Sequence, residues 1–105
     1  MATQRTLIKD LAQKVGEEVL IKGWVDVRRD QGKMIFFDFR DRSGKVQGVV
    51  LPASVAMEIA KTLRHEYVVS VSAKVNARPV KNVNEKVQNG AIELEVLGIE
   101  VISKA

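Results

Sequence analysis

Met34-Ile35-Phe36-Phe37-Asp38-Phe39-Arg40-Asp41, then Arg42-Ser43-Gly44, then Lys45-Val46-Gln47-Gly48-Val49-Val50-Leu51: this stretch decides the fold. Ile35, Phe37 and Phe39 share one parity, and Phe36, Asp38 and Arg40 share the other. Successive side chains of a strand point to opposite faces of its sheet, so period-2 alternation predicts a half-buried strand over Met34 to Asp41. Arg42-Ser43-Gly44 is short and polar and predicts a tight hairpin. The alternation resumes over Lys45 to Leu51, with Val46, Gly48 and Val50 facing one way and Gln47 and Val49 the other.

Upstream, Val19 to Arg28 predicts another strand. Val19, Ile21, Val25 and Val27 alternate with more polar neighbours, and Gly23 inside the run marks a bulge or a sharp bend. Arg29-Asp30-Gln31-Gly32-Lys33 reads as a turn. Before it, Leu7, Ile8, Leu11 and Val15 fall at near-helical spacing, and Gly16 can end the turn, so residues 6–16 are expected to form a short helical lead-in.

Downstream, Pro52 stops the third strand because it has no amide donor. Ser54 is placed to cap a helix, and Val55, Ile59 and Leu63 predict an amphipathic helix over Val55 to Leu63. Tyr67, Val69, Val71, Ala73 and Val75 alternate within a fourth strand, Glu66 to Ala77. Residues 78–90 read as a polar loop. Ile92, Leu94 and Val96 then open a last strand that reaches about Ile102.

The order β-β-β-α-β-β is that of a mainly β, five-stranded OB-fold Greek-key barrel, with a helix between strands 3 and 4 and a short N-terminal helical segment. A different small α+β sheet domain is the alternative. The expectation is a single domain over residues 1–105, with 1–16 as its lead-in.

Composition narrows the function. The chain has 105 residues, 46% hydrophobic and 29% charged, and a net charge of +4, which suits a polyanionic partner. It has no cysteine, which excludes a disulfide framework, a zinc ribbon and a cysteine nucleophile. Met1-Ala2-Thr3-Gln4-Arg5 lacks the apolar core of a signal peptide, and no apolar run approaches the roughly 20 residues that cross a bilayer. A soluble cytoplasmic protein with no membrane partner is expected.

Nothing in the chain assembles into an active site. Its one histidine, His65, has no cysteine partner or evident acidic relay, so a surface or capping role is expected. Gly16, Gly23 and Gly32 are too dispersed for a phosphate-cradling loop. No catalytic residue, cofactor or metal is expected.

Binding is a different matter. Phe36 lies on the face opposite the core-directed Ile35, Phe37 and Phe39, and Gln47 and Glu93 share its outward parity. An outward ring on a curved sheet can stack a base, an amide can read a base edge, and Arg29 can do either. The alternative is that Phe36 packs under the 78–90 loop and Gln47 is merely solvated. Basic residues border this face: Arg28, Arg29 and Lys33 at the first turn; Arg40, Arg42 and Lys45 at the second; Arg78, Lys81 and Lys86 in the long loop. Of these, Arg28, Lys33, Arg78 and Lys81 are the candidate phosphate contacts, against a reading as a solvated charged rim.

Three blocks carry a family resemblance: Gly23-Trp24-Val25 through Arg28-Arg29-Asp30-Gln31-Gly32 to Ile35-Phe36-Phe37-Asp38-Phe39-Arg40-Asp41-Arg42-Ser43-Gly44-Lys45-Val46-Gln47; Leu63-Arg64-His65-Glu66 with Asn82-Val83-Asn84; and Gly90-Ala91-Ile92-Glu93-Leu94-Glu95-Val96. Together with the ending Glu100-Val101-Ile102-Ser103-Lys104-Ala105, they resemble the N-terminal anticodon-binding domain of aspartyl-tRNA synthetases of bacterial type.

The resemblance implies that Phe36 stacks on the central anticodon uridine and that Arg29 and Gln47 hydrogen-bond it. It implies further that Glu93 approaches the first anticodon base and that Asn82 and Asn84 lie near the anticodon stem or bases. The implied partner is tRNA of aspartate and asparagine type. The family's ATP-dependent catalytic domain is not in this sequence.

Two positions depart from the family. Val49 stands where a second aromatic is frequent, and Ala91 where a glutamate is frequent. Phe39-Arg40-Asp41-Arg42 matches only part of the phenylalanine–arginine–acid signature of class II synthetase active sites, because Arg42 occupies the acid's place. A protein-interaction barrel and a generic single-strand binder are the rival expectations.

Overall fold

Strand β1 (Glu18–Gln31) serves two ladders. In the computed structural model, which describes residues 4–104, its first half pairs with β4 (Val68–Ala77), from Glu18 opposite Lys74 to Trp24 opposite Val68. Its second half pairs with β2 (Met34–Asp41), from Trp24 opposite Arg40 to Gln31 opposite Met34. The handover falls at Trp24, next to Gly23, where an added Cβ would stand 2.2 Å from the Arg40 carbonyl oxygen. No side chain tolerates that approach, which is why the predicted bend is a glycine.

With β3 (Gly44–Val50) and β5 (Ile92–Ser103), the strands close in the order β1-β2-β3-β5-β4, with β3 parallel to β5 and the other neighbours antiparallel. This is the expected five-stranded OB barrel. Residues 1–3 of the expected lead-in, and Ala105 at the far end of the resemblance, lie outside the described residues.

The alternation predicted for β2 holds: Ile35, Phe37 and Phe39 are buried, and the Phe37 and Phe39 rings stack with centroids 5.4 Å apart. On β1 it holds only as far as Val25. Between Val25 and Val27 the register against β2 shifts by one residue, a β-bulge at Asp26. A bulge inverts the facing of everything beyond it. Val27, expected in the core, is therefore exposed.

Each barrel end is closed by a short helical turn. At the β1–β2 end lies α1, only Met57–Ala60, in place of the helix expected over Val55 to Leu63. The face it buries also differs from the predicted one. Ala56, Met57, Ala60 and Leu63 pack inward, while Val55 and Ile59 are exposed at 88% and 39%. Two alanines let the chain approach the barrel mouth closely, and the larger Val55 and Ile59 turn outward. Ser54, expected to cap the helix, does not: the N-cap is Ala56, without a side-chain cap bond, and the Ser54 Oγ instead accepts the Ala56 N–H at 3.1 Å in the turn that precedes the helix.

At the opposite end a 3₁₀ turn, Ile8–Gln13, buries Ile8 and Leu11 completely. Three residues per turn align Ile8 with Leu11 and leave Val15 off the stripe, exposed. Asp41, 5% exposed, ties this turn to the hairpin. Its Oδ2 accepts the Ile8 N–H, and its Oδ1 accepts the Ser43 N–H, the Ser43 hydroxyl and the Gly44 N–H. No helix among the described residues is long and apolar enough to cross a membrane.

Candidate nucleic-acid interface

Phe36 is half-buried, between two neighbours on β2 that are sealed in the core. Its ring lies on the outer face of the barrel. Directly across the ladders stand Arg29 on β1 and Val49 on β3. Arg29 reaches this row because of the bulge at Asp26. Continuing the register of Trp24 opposite Arg40 and Val25 opposite Phe39 would set Arg29 against Ile35, on the core face; the extra residue sets it against Phe36. The bulge re-aims a side chain toward the outer face that carries Phe36.

One step along the same face, Asp38 pairs with Gln47. A polar chain runs from there across three strands. Arg29 Nη2 donates to Gln47 Oε1 at 3.2 Å, and Gln47 Nε2 donates to Glu93 Oε2 at 2.5 Å. Asp38 Oδ1 lies 3.6 Å from Arg29 Nη2 and helps to hold the guanidinium. A guanidinium only donates and a carboxylate only accepts, so the amide of Gln47 has a single orientation here, oxygen toward Arg29 and nitrogen toward Glu93.

Phe36, Gln47, Glu93, Asn76, Arg78 and Asn82 line one open groove of about 450 Å³. The Arg78 Nε–H donates to the Ile92 carbonyl at 2.8 Å, which anchors its guanidinium at the groove wall. A second groove of about 680 Å³ shares Gln47 and Arg78 with the first and adds Arg29, Arg42, Lys45 and Asn84. The surface thus offers a flat apolar face, an adjacent donor and acceptor pair, a carboxylate and a cationic border. That set can stack and edge-read an unpaired base.

The other predicted residues fall in different places. Val49 is buried, so at this position the outer face gains no second stacking surface. Asn84 lines the second groove, and its Oδ1 accepts the Lys86 N–H. Lys81 lies in the short 3₁₀ turn Val80–Asn82, exposed. Lys33 borders a separate hollow beside Pro52 and Met57.

Arg28 is corrected more sharply. It pairs with the core residue Phe37, and its guanidinium donates to the Lys61 and Leu63 carbonyls at 2.9 and 3.1 Å and forks onto Asp30. It staples β1 to the chain leaving α1 and takes no place in either groove. That bond to Arg28 holds the Asp30 carboxyl below its ordinary pKa.

Asn76 was not singled out from the sequence, although its outward parity beside Val75 could have found it. It stands opposite Glu93.

Farther along the outer face, Arg40 lies over the Trp24 ring at 5.3 Å, and its Nη2 bonds Glu66 Oε1 at 2.8 Å. Lys45 Nζ lies 3.0 Å from Asp26 Oδ2. The Lys45 hydrogen bond, against the opposing effect of burial, holds the Asp26 carboxyl below its ordinary pKa. Exposed His65 sits 3.3 Å from Glu66. Asp26, His65 and Glu66 bring three potential ligand atoms within 4.8 Å of one another, but Lys45 and Arg40 already neutralise both carboxylates.

Fold and groove together are those of an OB-fold barrel with an open groove lined by an aromatic ring, amides, a carboxylate and an arginine. Residues 19–102 match the tRNA anti-codon family, the OB-fold nucleic acid binding domain. The chain belongs to this family, as an anticodon-binding OB domain of the aspartyl/asparaginyl-tRNA synthetase type.

It is 47% identical over 93 residues to the aspartate–tRNA ligase of Staphylococcus aureus (strain Newman), a match that covers 87% of this chain and 16% of that protein. Asparaginyl-tRNA synthetase from Pyrococcus horikoshii, solved with asparaginyl-adenylate, superposes with a TM-score of 0.80 and 30% identity, over 98% of this chain and 23% of that one. Aspartyl-tRNA synthetase from Entamoeba histolytica superposes at 0.83 with 24% identity, over 97% of this chain and 22% of that one, a likeness of fold alone.

Proposed function

We propose that this face reads the unpaired bases of a tRNA anticodon loop, with Phe36 stacked on the central uridine. The observation that carries the reading is the half-buried Phe36 ring on the outer face of the barrel, beside a Gln47 amide oriented by Arg29 and Glu93. An arginine N–H next to a glutamine oxygen matches the edge of uridine, whose carbonyl oxygen accepts beside an N3–H that donates. Cytosine presents the reverse order. Glu93, an acceptor, takes the first anticodon base through its amino or imino donors. Asn82 and Asn84 flank the bases or the stem, and Arg78, Lys81 and Lys33 supply cationic surroundings for the phosphates.

The partner we assign is tRNA of aspartate or asparagine type, in the cytoplasm, since a central uridine is common to both anticodons. The amino-acid chemistry belongs to the catalytic part of a longer synthetase, an aspartate–tRNA ligase. The test is titration of an anticodon stem-loop RNA by fluorescence anisotropy at fixed salt. Phe36→Ala is expected to weaken binding by about 1–3 kcal/mol, the range for one base–aromatic stack. Gln47→Ala should weaken it too and erase the preference for uridine over cytosine at the centre of the loop. Unchanged affinity in both variants refutes the reading.

A further inference from the structure

We infer that Gln88 and Asn89 are positioning residues: they fasten the β4–β5 loop to the β2–β3 hairpin, so that the loop side chains facing the grooves stand in place before RNA arrives. The inference rests on the RNA-reading role proposed above and adds to it the device that holds one wall of the site.

The need for a fastening comes from the barrel itself. β3 pairs with β5 only through Gly48 and Val49. The β3 edge from Ser43 to Lys45 therefore has no neighbouring strand on that side, and its backbone groups need other partners. Side-chain amides supply them. Gln88 Oε1 accepts the Lys45 N–H at 3.1 Å, and Gln88 Nε2 donates to the Ser43 carbonyl at 3.3 Å. Asn89 Nδ2 donates to the Lys45 carbonyl at 2.8 Å and to the Ile8 carbonyl at 3.3 Å. Two consecutive amide side chains act as a short substitute strand, bridging the loop, the hairpin and the N-terminal turn.

Local backbone and packing are fitted to this arrangement. Asn89 has φ of +57°, a conformation that asparagine tolerates better than most residues. Gly44 leaves the space the Gln88 amide occupies, for a Cβ there would fall 2.1 Å from Nε2 and 2.3 Å from Oε1. The turn is closed on itself as well, with the Asn84 N–H donating to the Gly90 carbonyl at 3.0 Å. What is fastened is therefore a preformed turn, and it brings Asn84 and Val87 to the second groove opposite Arg29 and Lys45.

An unfastened loop would have to be ordered on each binding event, at an entropic cost set against affinity; a fastened one has lost that freedom beforehand. The device predicts a distinctive pattern. Loosening the clasp should weaken RNA binding without altering how the central base is read, because Phe36, Arg29 and Gln47 stand on strands.

The experiment uses the 105-residue chain and four variants: Gln88→Ala, Asn89→Gly, the double variant, and Glu85→Ala on the same loop as a control. Glycine at 89 keeps the positive φ accessible and removes the amide, while Gln88→Ala, which leaves residue 89 intact, controls for the backbone freedom that glycine adds. Amide hydrogen exchange of residues 84–90 is measured in the free protein, and affinity for the anticodon stem-loop is measured beside it. The double variant should exchange faster across the loop, keep the slow exchange of β1 and β2, and bind roughly tenfold more weakly, the scale of a few lost hydrogen bonds and of loop ordering. Replacing the central uridine should weaken the variant and the parent by the same factor, whereas replacing a flanking base should weaken the variant less. Either single variant shows the same signs in part if the double variant does not fold.

Unchanged loop exchange, or faster exchange with unchanged affinity, overturns the clasp while leaving the RNA reading intact. Failure of the parent chain to bind, or indifference of binding to Phe36→Ala, overturns the RNA reading itself and the clasp's role with it.

Discussion

Replacing Asp41 by asparagine is a sharp test of how the β2–β3 hairpin is held. The carboxylate is 5% exposed and accepts four hydrogen bonds: Ile8 N–H at 3.0 Å, Ser43 N–H at 2.7 Å, Ser43 Oγ–H at 2.6 Å and Gly44 N–H at 3.1 Å. Asparagine offers one oxygen and one NH₂. If the oxygen stays with Ser43 and Gly44, the new N–H groups face the buried Ile8 N–H, donor against donor. The other orientation leaves the Ser43 and Gly44 amides without a partner, which is worse. Losing a bond to a charged acceptor costs about 1.5–3 kcal/mol, and a deletion measurement already counts the unpaired donor within that figure. A loss of about 2–3 kcal/mol in urea unfolding at pH 7 is expected.

The gap should also depend on pH. Burial works to raise the Asp41 pKa, but bonds from the Ser43 hydroxyl and the Ile8, Ser43 and Gly44 amides outweigh it and hold the carboxyl below its ordinary value. A carboxyl depressed in the folded state contributes stability that is fully present above its unfolded pKa, about 3.9, and is lost as pH falls through the folded value. The difference between parent and Asp41→Asn should therefore be constant from pH 7 to about 5 and shrink below 4. A loss smaller than about 0.5 kcal/mol, or a gap that stays constant down to pH 3, refutes the assignment.

Four further substitutions probe the features that shape the barrel around the site. Gly23→Ala drives a Cβ into the Arg40 carbonyl, 2.2 Å away, and should destabilise by on the order of 3 kcal/mol in the same unfolding assay. Arg28→Ala removes the staple to the Lys61 and Leu63 carbonyls and should lower stability by about 1–2 kcal/mol. Its stem-loop affinity and salt slope should be unchanged, whereas a true phosphate contact would flatten that slope by about 0.7. Leu63→Ala, at a fully buried position, is expected to lose about 2–5 kcal/mol, and Val55→Ser, at an 88% exposed one, less than about 0.5; comparable losses would restore the face predicted from sequence.

Most of the barrel was legible because its strands are half-buried and burial imposes a period of two. Ile35, Phe37 and Phe39 on β2, and Val69, Val71, Ala73 and Val75 on β4, are where alternation put them. The same alternation carried Phe36, Gln47 and Glu93 outward and into one groove. Legibility failed where facing depends on a partner strand or on size. The bulge at Asp26 exists only as a mismatch between β1 and β2, so the exposure of Val27 and the placement of Arg29 beside Phe36 could not be read from β1 alone. The turn after β3 is short, and a hydrophobicity pattern cannot tell that two alanines will be chosen over a valine and an isoleucine at a crowded barrel mouth. The fastening role of Gln88 and Asn89 was invisible for a similar reason, since both bond to backbone groups more than forty positions away.

The double membership of β1 has a further consequence. A strand common to both ladders ties the two halves of the barrel through one continuous backbone. Under the anticodon reading proposed above, Phe36, Gln47 and Glu93 then act as marks on one gauge, and an RNA loop would have to be shaped to them.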